Sequence, residues 1–291
     1  MAYLASPSAP AGAYDAFLPA AAAASRTQRR WQPEDGPLPT LFLSHGAPPL
    51  LDDADWLRRL LDWSLSMPKP TSVLIVSAHW ESAPLSLSSS AAAAPLVYDF
   101  GGFHPRYYSL TYPTPDASAL AARVRAVMSD TTAVHEHARR GLDHGAWVPL
   151  MAMYPLADVP VLQLSLPTED PAALLALGRR LRALREEGVL VIGSGFTTHG
   201  LPFLTAANLR GEVPSWSSDF DAWTAELLAS GDVDGLARFR DAPGMPYCHP
   251  TVEHFVPMFV TFGAASDQAP QARTTIDGYM VGMSRRSFQL S

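Results

Sequence analysis

Residues 72–80 read SVLIVSAHW, and the reading of this stretch decides the fold. The run is apolar without alternation and is led in by MPKPT at 67–71, the pattern of a strand buried on both faces inside a parallel sheet. It ends in Ala78, His79 and Trp80, so a histidine stands at the strand's carboxyl end. Two other runs have this shape. Residues 39–46 (PTLFLSHG) put His45 directly after a strand, and residues 188–195 (GVLVIGSG) reach His199 four positions on. Three strands thus deliver a histidine to one edge, and open α/β sheets bind ligands beyond the carboxyl ends of their strands.

Working outward, residues 53–66 carry Trp56, Leu57, Leu60, Leu61 and Leu65 at helical spacing, with Asp52 or Asp53 as cap. They join the 39–46 and 72–80 strands into a βαβ unit, whose crossover is expected to be right-handed. Residues 160–166 (PVLQLSL) read as another strand. Residues 168–187, opened by TEDP and closed by Gly188, form the best-marked helix and lead into 188–195 as a second βαβ unit. Further helices are expected over 116–128, 141–154, 219–230, 233–240 and 252–262, and a closing strand or hairpin over 273–283. This alternation predicts a three-layer α/β fold, a mostly parallel central sheet with helices on both faces, as a single domain over 37–291. Residues 1–36, rich in Ala, Pro and Ser, read as an arm outside it. Residues 81–115 have no periodicity, and the density of Tyr98, Phe100, Phe103, Tyr107, Tyr108 and Tyr112 marks them as a pocket wall.

A chain of 291 residues, 47% hydrophobic and 17% charged, can bury a full core. The formal charge of −7, with no basic cluster beyond Arg26, Arg29 and Arg30, argues against nucleic acid or an acidic membrane surface as partner. Small neutral or aromatic ligands remain open. Cys248 is the only cysteine, which excludes an internal disulfide and a thiolate metal cluster and makes a reducing cytoplasm the default expectation. No apolar run approaches the ~20 residues of a membrane span.

Nine histidines are present. His135 and His137, in HEHARR, read as solvated. His45, His79 and His199 share the predicted edge, and His254 sits in TVEHFVP at the start of an apolar helix. Imidazole suits zinc, iron, copper and nickel. Neither H-E-x-x-H nor zinc-finger spacing occurs, so a metal site would be assembled from distant segments. Other chemistries fit less well. Ser194 lacks the G-x-S-x-G elbow of an acyl-transfer nucleophile, and GSG alone lacks the glycines and lysine of a phosphate cradle.

The segments LFLSHGAPP, SVLIVSAHWES, YDFGGFHPRYY, YPTP, GLDHGAWVPLMAMYP, VPVLQLSL, GVLVIGSGFTTHGL and PTVEHFVP follow one another in this order. Together they resemble the class III extradiol ring-cleavage dioxygenases, within them the DOPA-dioxygenase branch, over about residues 39–283. The resemblance implies an enzyme that opens a catecholic ring with O2 to a semialdehyde acid, using non-haem Fe(II) held by His45, His79 and His254. It implies His199 as acid/base or extra ligand, and His144 of DHG as a neighbour able to bond substrate or oxygen. Because better-known members use two histidines and a glutamate, Glu253 beside His254 is an alternative ligand; its other reading is a solvated carboxylate in a first helical turn. Asp143 is expected to fix the tautomer of His144. Trp80, Phe100, Phe103 and Tyr107 are candidate walls for the ring. His104 is a candidate partner for a substrate carboxylate, and His249 for a place behind the ligands. Zinc could occupy the same imidazoles in purified protein without supporting the redox step. A zinc-dependent hydrolase or metal-binding protein without oxygenase activity is the alternative, and a non-catalytic binder of small aromatics a third. Subunit number is left open, a homo-oligomer included.

Overall fold

The computed structural model describes residues 9–128, 133–265 and 272–291. In chain order its elements are α1 (Gly12–Thr27), β1 (Thr40–Ser44), α2 (Ala54–Leu65), β2 (Ser72–Glu81), β3 (Ser86–Leu87), α3 (Ser118–Met128), β4 (His135–Glu136), α4 (His144–Met153), β5 (Val161–Leu166), α5 (Pro171–Leu181) and β6 (Val189–Gly195). They continue with α6 (Ala206–Leu209), α7 (Ser215–Ser230), α8 (Val233–Ala237), α9 (Pro257–Ala264), β7 (Arg273–Ile276), β8 (Tyr279–Met280), β9 (Met283–Ser284) and β10 (Ser287–Leu290). Eight strands form one sheet in the order β4-β3-β5-β2-β6-β1-β10-β7. Its centre, β5-β2-β6-β1, is parallel, and β10 closes antiparallel on β1.

The strand at 72–80 is buried on both faces, as its composition predicts. Leu74 and Val76 enter a core shared with α3, α5 and α9, while Val73 and Ile75 enter a second core shared with α2 and α4. All four are fully buried, a gross stabilisation on the order of 10 kcal/mol before the entropy of ordering. That double anchorage fixes β2, and with it the residues at its end.

The two βαβ units hold, but neither pair of strands is adjacent. β6 lies between β1 and β2, and β2 lies between β5 and β6. Several elements differ from the sequence reading in their extent. The helix expected over 168–187 is an α-helix only to Leu181, capped by Asp170, whose carboxylate accepts from the Ala173 amide, and it tightens into a 3-10 turn that ends at Gly188. The helix expected from residue 252 begins at Pro257, because the 254–256 segment is held against the sheet. The last strand, β10, was not read at all.

The segment expected as an arm outside the fold is from residue 12 onward a helix packed on α2. Tyr14, Ala21, Ala22 and Ser25 are buried in that contact, and Asp52 accepts a hydrogen bond from the Gly12 amide. An alanine-rich helix has small side chains that allow such close apposition. Among the described residues no helix is long and apolar enough to cross a membrane.

Candidate metal centre

The carboxyl ends of β2, β6 and β1 lie side by side, since the three strands are neighbours and parallel. His79 is carried near the end of β2. His45 follows β1 directly, its amide donating to the Gly195 carbonyl at 3.0 Å. His254 arrives from a distant segment and is tied to the end of β6 by the Phe196 amide, which donates to its carbonyl at 2.8 Å. The glycines of GSG allow this. A Cβ on Gly195 would stand 1.9 Å from the His254 carbonyl oxygen, and one on Gly193 2.4 Å from that of Pro257. The GSG sequence is therefore a close-approach surface.

The rings converge. His79 Nε2 lies 3.0 Å from His45 Nε2 and 3.2 Å from His254 Nε2. Each opposite nitrogen faces an acceptor. The Ser194 hydroxyl donates to the Gly145 carbonyl at 2.5 Å, so its lone pair accepts from His45 Nδ1 at 2.9 Å. Glu253 accepts from His254 Nδ1 at 2.8 Å, and an Asp99 oxygen lies 3.4 Å from His79 Nδ1. The partners favour the proton on Nδ1 of His45 and His254, and the nearby Asp99 carboxylate favours it on Nδ1 of His79. With that tautomer the Nε2 lone pairs of the three rings face one another, an arrangement that a metal ion satisfies.

The spacing fits a metal as well. Nitrogens about 2.1 Å from one ion and near a right angle apart are separated by about 3 Å. Burial, reinforced by the neighbouring imidazoles, pushes His79 down to about 3 and holds His45 and His254 well below the usual histidine range. They are therefore neutral, the state in which histidine binds metals. Gly145 completes the floor: a Cβ there would come within 2.5 Å of Ser77 Oγ, 3.1 Å of the His79 ring and 3.2 Å of the His45 ring.

His144 and His199 flank this trio. His144 opens α4, and its ring centroid is 3.9 Å from that of His79. Asp99 accepts from His144 Nδ1 at 2.8 Å and from its backbone amide at 3.1 Å, so it orients the ring and caps the helix together. Burial works against ionisation of Asp99, but the hydrogen bond and charge of His144 outweigh it and hold the carboxyl below its usual range. His199 stacks on His254 with ring centroids 3.5 Å apart and planes 16° from parallel. Burial, then the charges of His249 and His144, push it down to about 3.

All five histidines line a cavity of about 230 Å³ whose remaining wall includes Asp99, Phe100, Phe103, Phe196, Leu201, Met280 and Met283. Phe100 meets His144 edge-on at 5.7 Å. The irregular 81–115 segment therefore supplies a wall through Phe100 and Phe103.

Other candidates lie elsewhere. Trp80 follows His79 on a strand and so points to the opposite face, where Arg140 covers its ring at 4.5 Å. Tyr107 is fully buried, with its hydroxyl on Asp52. His104 is exposed and accepts from the Arg106 amide. His249 is buried against Phe220 and Phe255 and donates from Nε2 to the Thr197 carbonyl. Asp143 does not touch the His144 ring. It accepts from Ser77 at 2.8 Å and from Gln163, bracing the end of β2 beneath the site. Glu253 is not a solvated first-turn carboxylate, since α9 begins four residues later and its side chain is only 13% exposed, turned onto His254. The sequence reading passed over Asp99, whose only signal was an acid next to an aromatic in the proposed pocket wall.

The family described as the catalytic LigB subunit of aromatic ring-opening dioxygenase matches residues 40–283. The "4,5-DOPA dioxygenase extradiol" of Beta vulgaris is 37% identical over 244 residues, covering 81% of this chain and 90% of that protein. The protein of the same name from Escherichia coli K12 is 34% identical over 238 residues, covering 80% and 87%. A crystal structure of an uncharacterised Escherichia coli K12 protein superposes with a TM-score of 0.72 at 30% identity, covering 87% of this chain and all of that one.

Proposed function

The chain belongs to the LigB family of aromatic ring-opening dioxygenases, within its DOPA-dioxygenase branch, and is an extradiol ring-cleaving enzyme; on that premise we propose that it opens a catecholic ring with O2, using Fe(II) held by His45, His79 and His254. The observation that carries this reading is the convergence of three Nε2 atoms at one wall of a largely apolar cavity. Bound there, Fe(II) would supply the Lewis acidity that lets a catechol ionise and the redox step that O2 requires.

The chain's own groups have separable tasks. Ser194, Asp99 and Glu253 hold the three rings in the tautomer that turns Nε2 inward, and they raise the basicity of those nitrogens. His199, neutral because it is buried, can accept a proton from a catechol hydroxyl, and an anion arriving beside it favours its protonated form. His144, oriented by Asp99, offers its free Nε2 to the same cavity and is the second group able to hold or return a proton. Phe100 and Phe103 present ring faces and edges against which a planar aromatic can lie. The apolar wall excludes water from the reacting ring.

Oxygen uptake is the test. Metal-free protein reloaded anaerobically with Fe(II) should consume O2 in proportion to the catechol supplied and form a yellow semialdehyde, and the Zn(II)-loaded form should do neither. Oxygen consumption that yields only a quinone, or ester or amide cleavage with Zn(II), would refute the reading.

A further inference from the structure

The metal-lined cavity has a neighbour. A second cavity, also of about 230 Å³, is lined by Ala47, Pro49, Leu50, Asp52, Asp53 and Met280. Ala47 and Met280 belong to both walls. Ala47 has only a methyl group to offer, so the adjustable part of this partition is the half-buried Met280 side chain. An unbranched thioether with three rotatable bonds fills irregular space and gives way readily.

The backbone that carries it is held firmly. Met280 pairs across the β8-β9 hairpin with Met283, which lines the metal side and not the second cavity. The turn runs through Val281 at φ 44° and Gly282 at φ 82°. A β-branched residue in the left-handed region is strained, and such strain persists only where the surroundings impose it. The neck supplies that constraint. The Arg285 amide donates to the Gly278 carbonyl at 3.0 Å, the Ser284 amide donates to the Thr198 hydroxyl at 2.7 Å, and Arg286 grips Asp221 through two bonds of 2.8 Å. With the hairpin pinned, rotation of the Met280 side chain is the ready motion between the two cavities.

Resting on the catechol reading above, we infer that Met280 is the specificity-determining residue for the length of the ring substituent. A short substituent stays on the metal side of the thioether, and a longer one displaces it and places its far end in the second cavity. That cavity asks for no polar partner. Asp52 accepts from the Gly12 amide at 3.1 Å and from the Tyr107 hydroxyl, and Asp53 accepts from the Trp56 amide at 2.9 Å and from Arg285 at 2.8 Å, so each carboxylate oxygen is already hydrogen-bonded. Ala47, Pro49 and Leu50 offer apolar contact to an incoming chain.

Alkyl probes vary length without varying charge. Anaerobic titration of Fe(II)-loaded protein with 4-methylcatechol and 4-hexylcatechol reads two dissociation constants without turnover, and their ratio cancels what a substitution does to the diol end. Met280→Ala, which opens the partition, should shift the ratio about fivefold or more toward hexylcatechol, and Met280→Phe, a stiffer side chain in the same place, should shift it about as far the other way. Pro49→Trp, which fills the second cavity from a position outside the metal-lined wall, should also disfavour hexylcatechol by about fivefold or more. A smaller shift, or one of the wrong sign, in any of the three folded variants overturns the inference; the Met280 pair decides alone if Pro49→Trp does not fold. The reading beneath is tested separately. No saturable binding of 4-methylcatechol, or no ring opening once O2 is admitted, defeats the catechol reading whatever the ratios.

Discussion

At the scale of single residues, the site depends on which nitrogen of each imidazole carries the proton. Glu253 illustrates this. Its carboxylate accepts from His254 Nδ1 at 2.8 Å and leaves Nε2 free. Glu253→Ala removes that acceptor, and metal affinity should fall about 10–100-fold by chelator competition, while Glu253→Gln, which keeps an acceptor oxygen, should fall less. Equal losses would mean that charge, and not tautomer, is what Glu253 supplies. His45, His79 and His199 were legible from strand ends and His254 from the start of an apolar run, whereas His144 was named only through the family resemblance of its DHG block. Their partners were less so. Asp99 reaches His144 across 45 positions through a segment without periodicity, and nothing local distinguishes it from a solvated acid. Asp143, adjacent to His144, was the natural expectation, but helix geometry turns its carboxylate toward Ser77 and Gln163.

At the scale of elements, the edge of three histidines follows from burial. Strands apolar on both faces must lie inside a sheet, and that reading of 39–46, 72–80 and 188–195 holds. Strand order did not follow, since hydrophobic pattern fixes that a strand is buried and not which strand is its neighbour. The same limit explains Trp80, whose side chain alternation sends away from His79. What the strands could not announce is the approach of the 254–257 segment, which GSG makes possible. Gly195→Ala would set a methyl against the His254 carbonyl, 1.9 Å from an ideal Cβ. The segment must then shift. The variant should be destabilised by about 1–3 kcal/mol in denaturant unfolding, with metal affinity reduced alongside. Unchanged metal affinity would show that His254 is not held by this contact.

At the scale of the whole molecule, burying so many neutral imidazoles makes metal-free protein acid-sensitive. His79 and His199 are pushed down to about 3 and His249 to about 4, in each case chiefly by burial. The folded state therefore binds fewer protons than the unfolded chain, whose histidines titrate near pH 6.5. Stability is full above that pH and is lost progressively as pH falls from about 6.5 toward 4 and then 3, since ΔG rises with pH wherever the unfolded state holds more protons. The Tm of the metal-free protein should drop steeply over that interval. A Tm flat between pH 7 and 5 would mean that these rings are not held neutral.

Equilibrium dialysis of metal-free protein against Fe(II) under anaerobic conditions, with the unaltered chain and His79→Ala side by side, reaches the three-imidazole centre most directly. His79 is the ring that both others contact through Nε2. The unaltered chain should take up one ion per chain and His79→Ala should retain almost none, with its fold intact by circular dichroism. Full metal occupancy in a folded His79→Ala protein would contradict the centre described here.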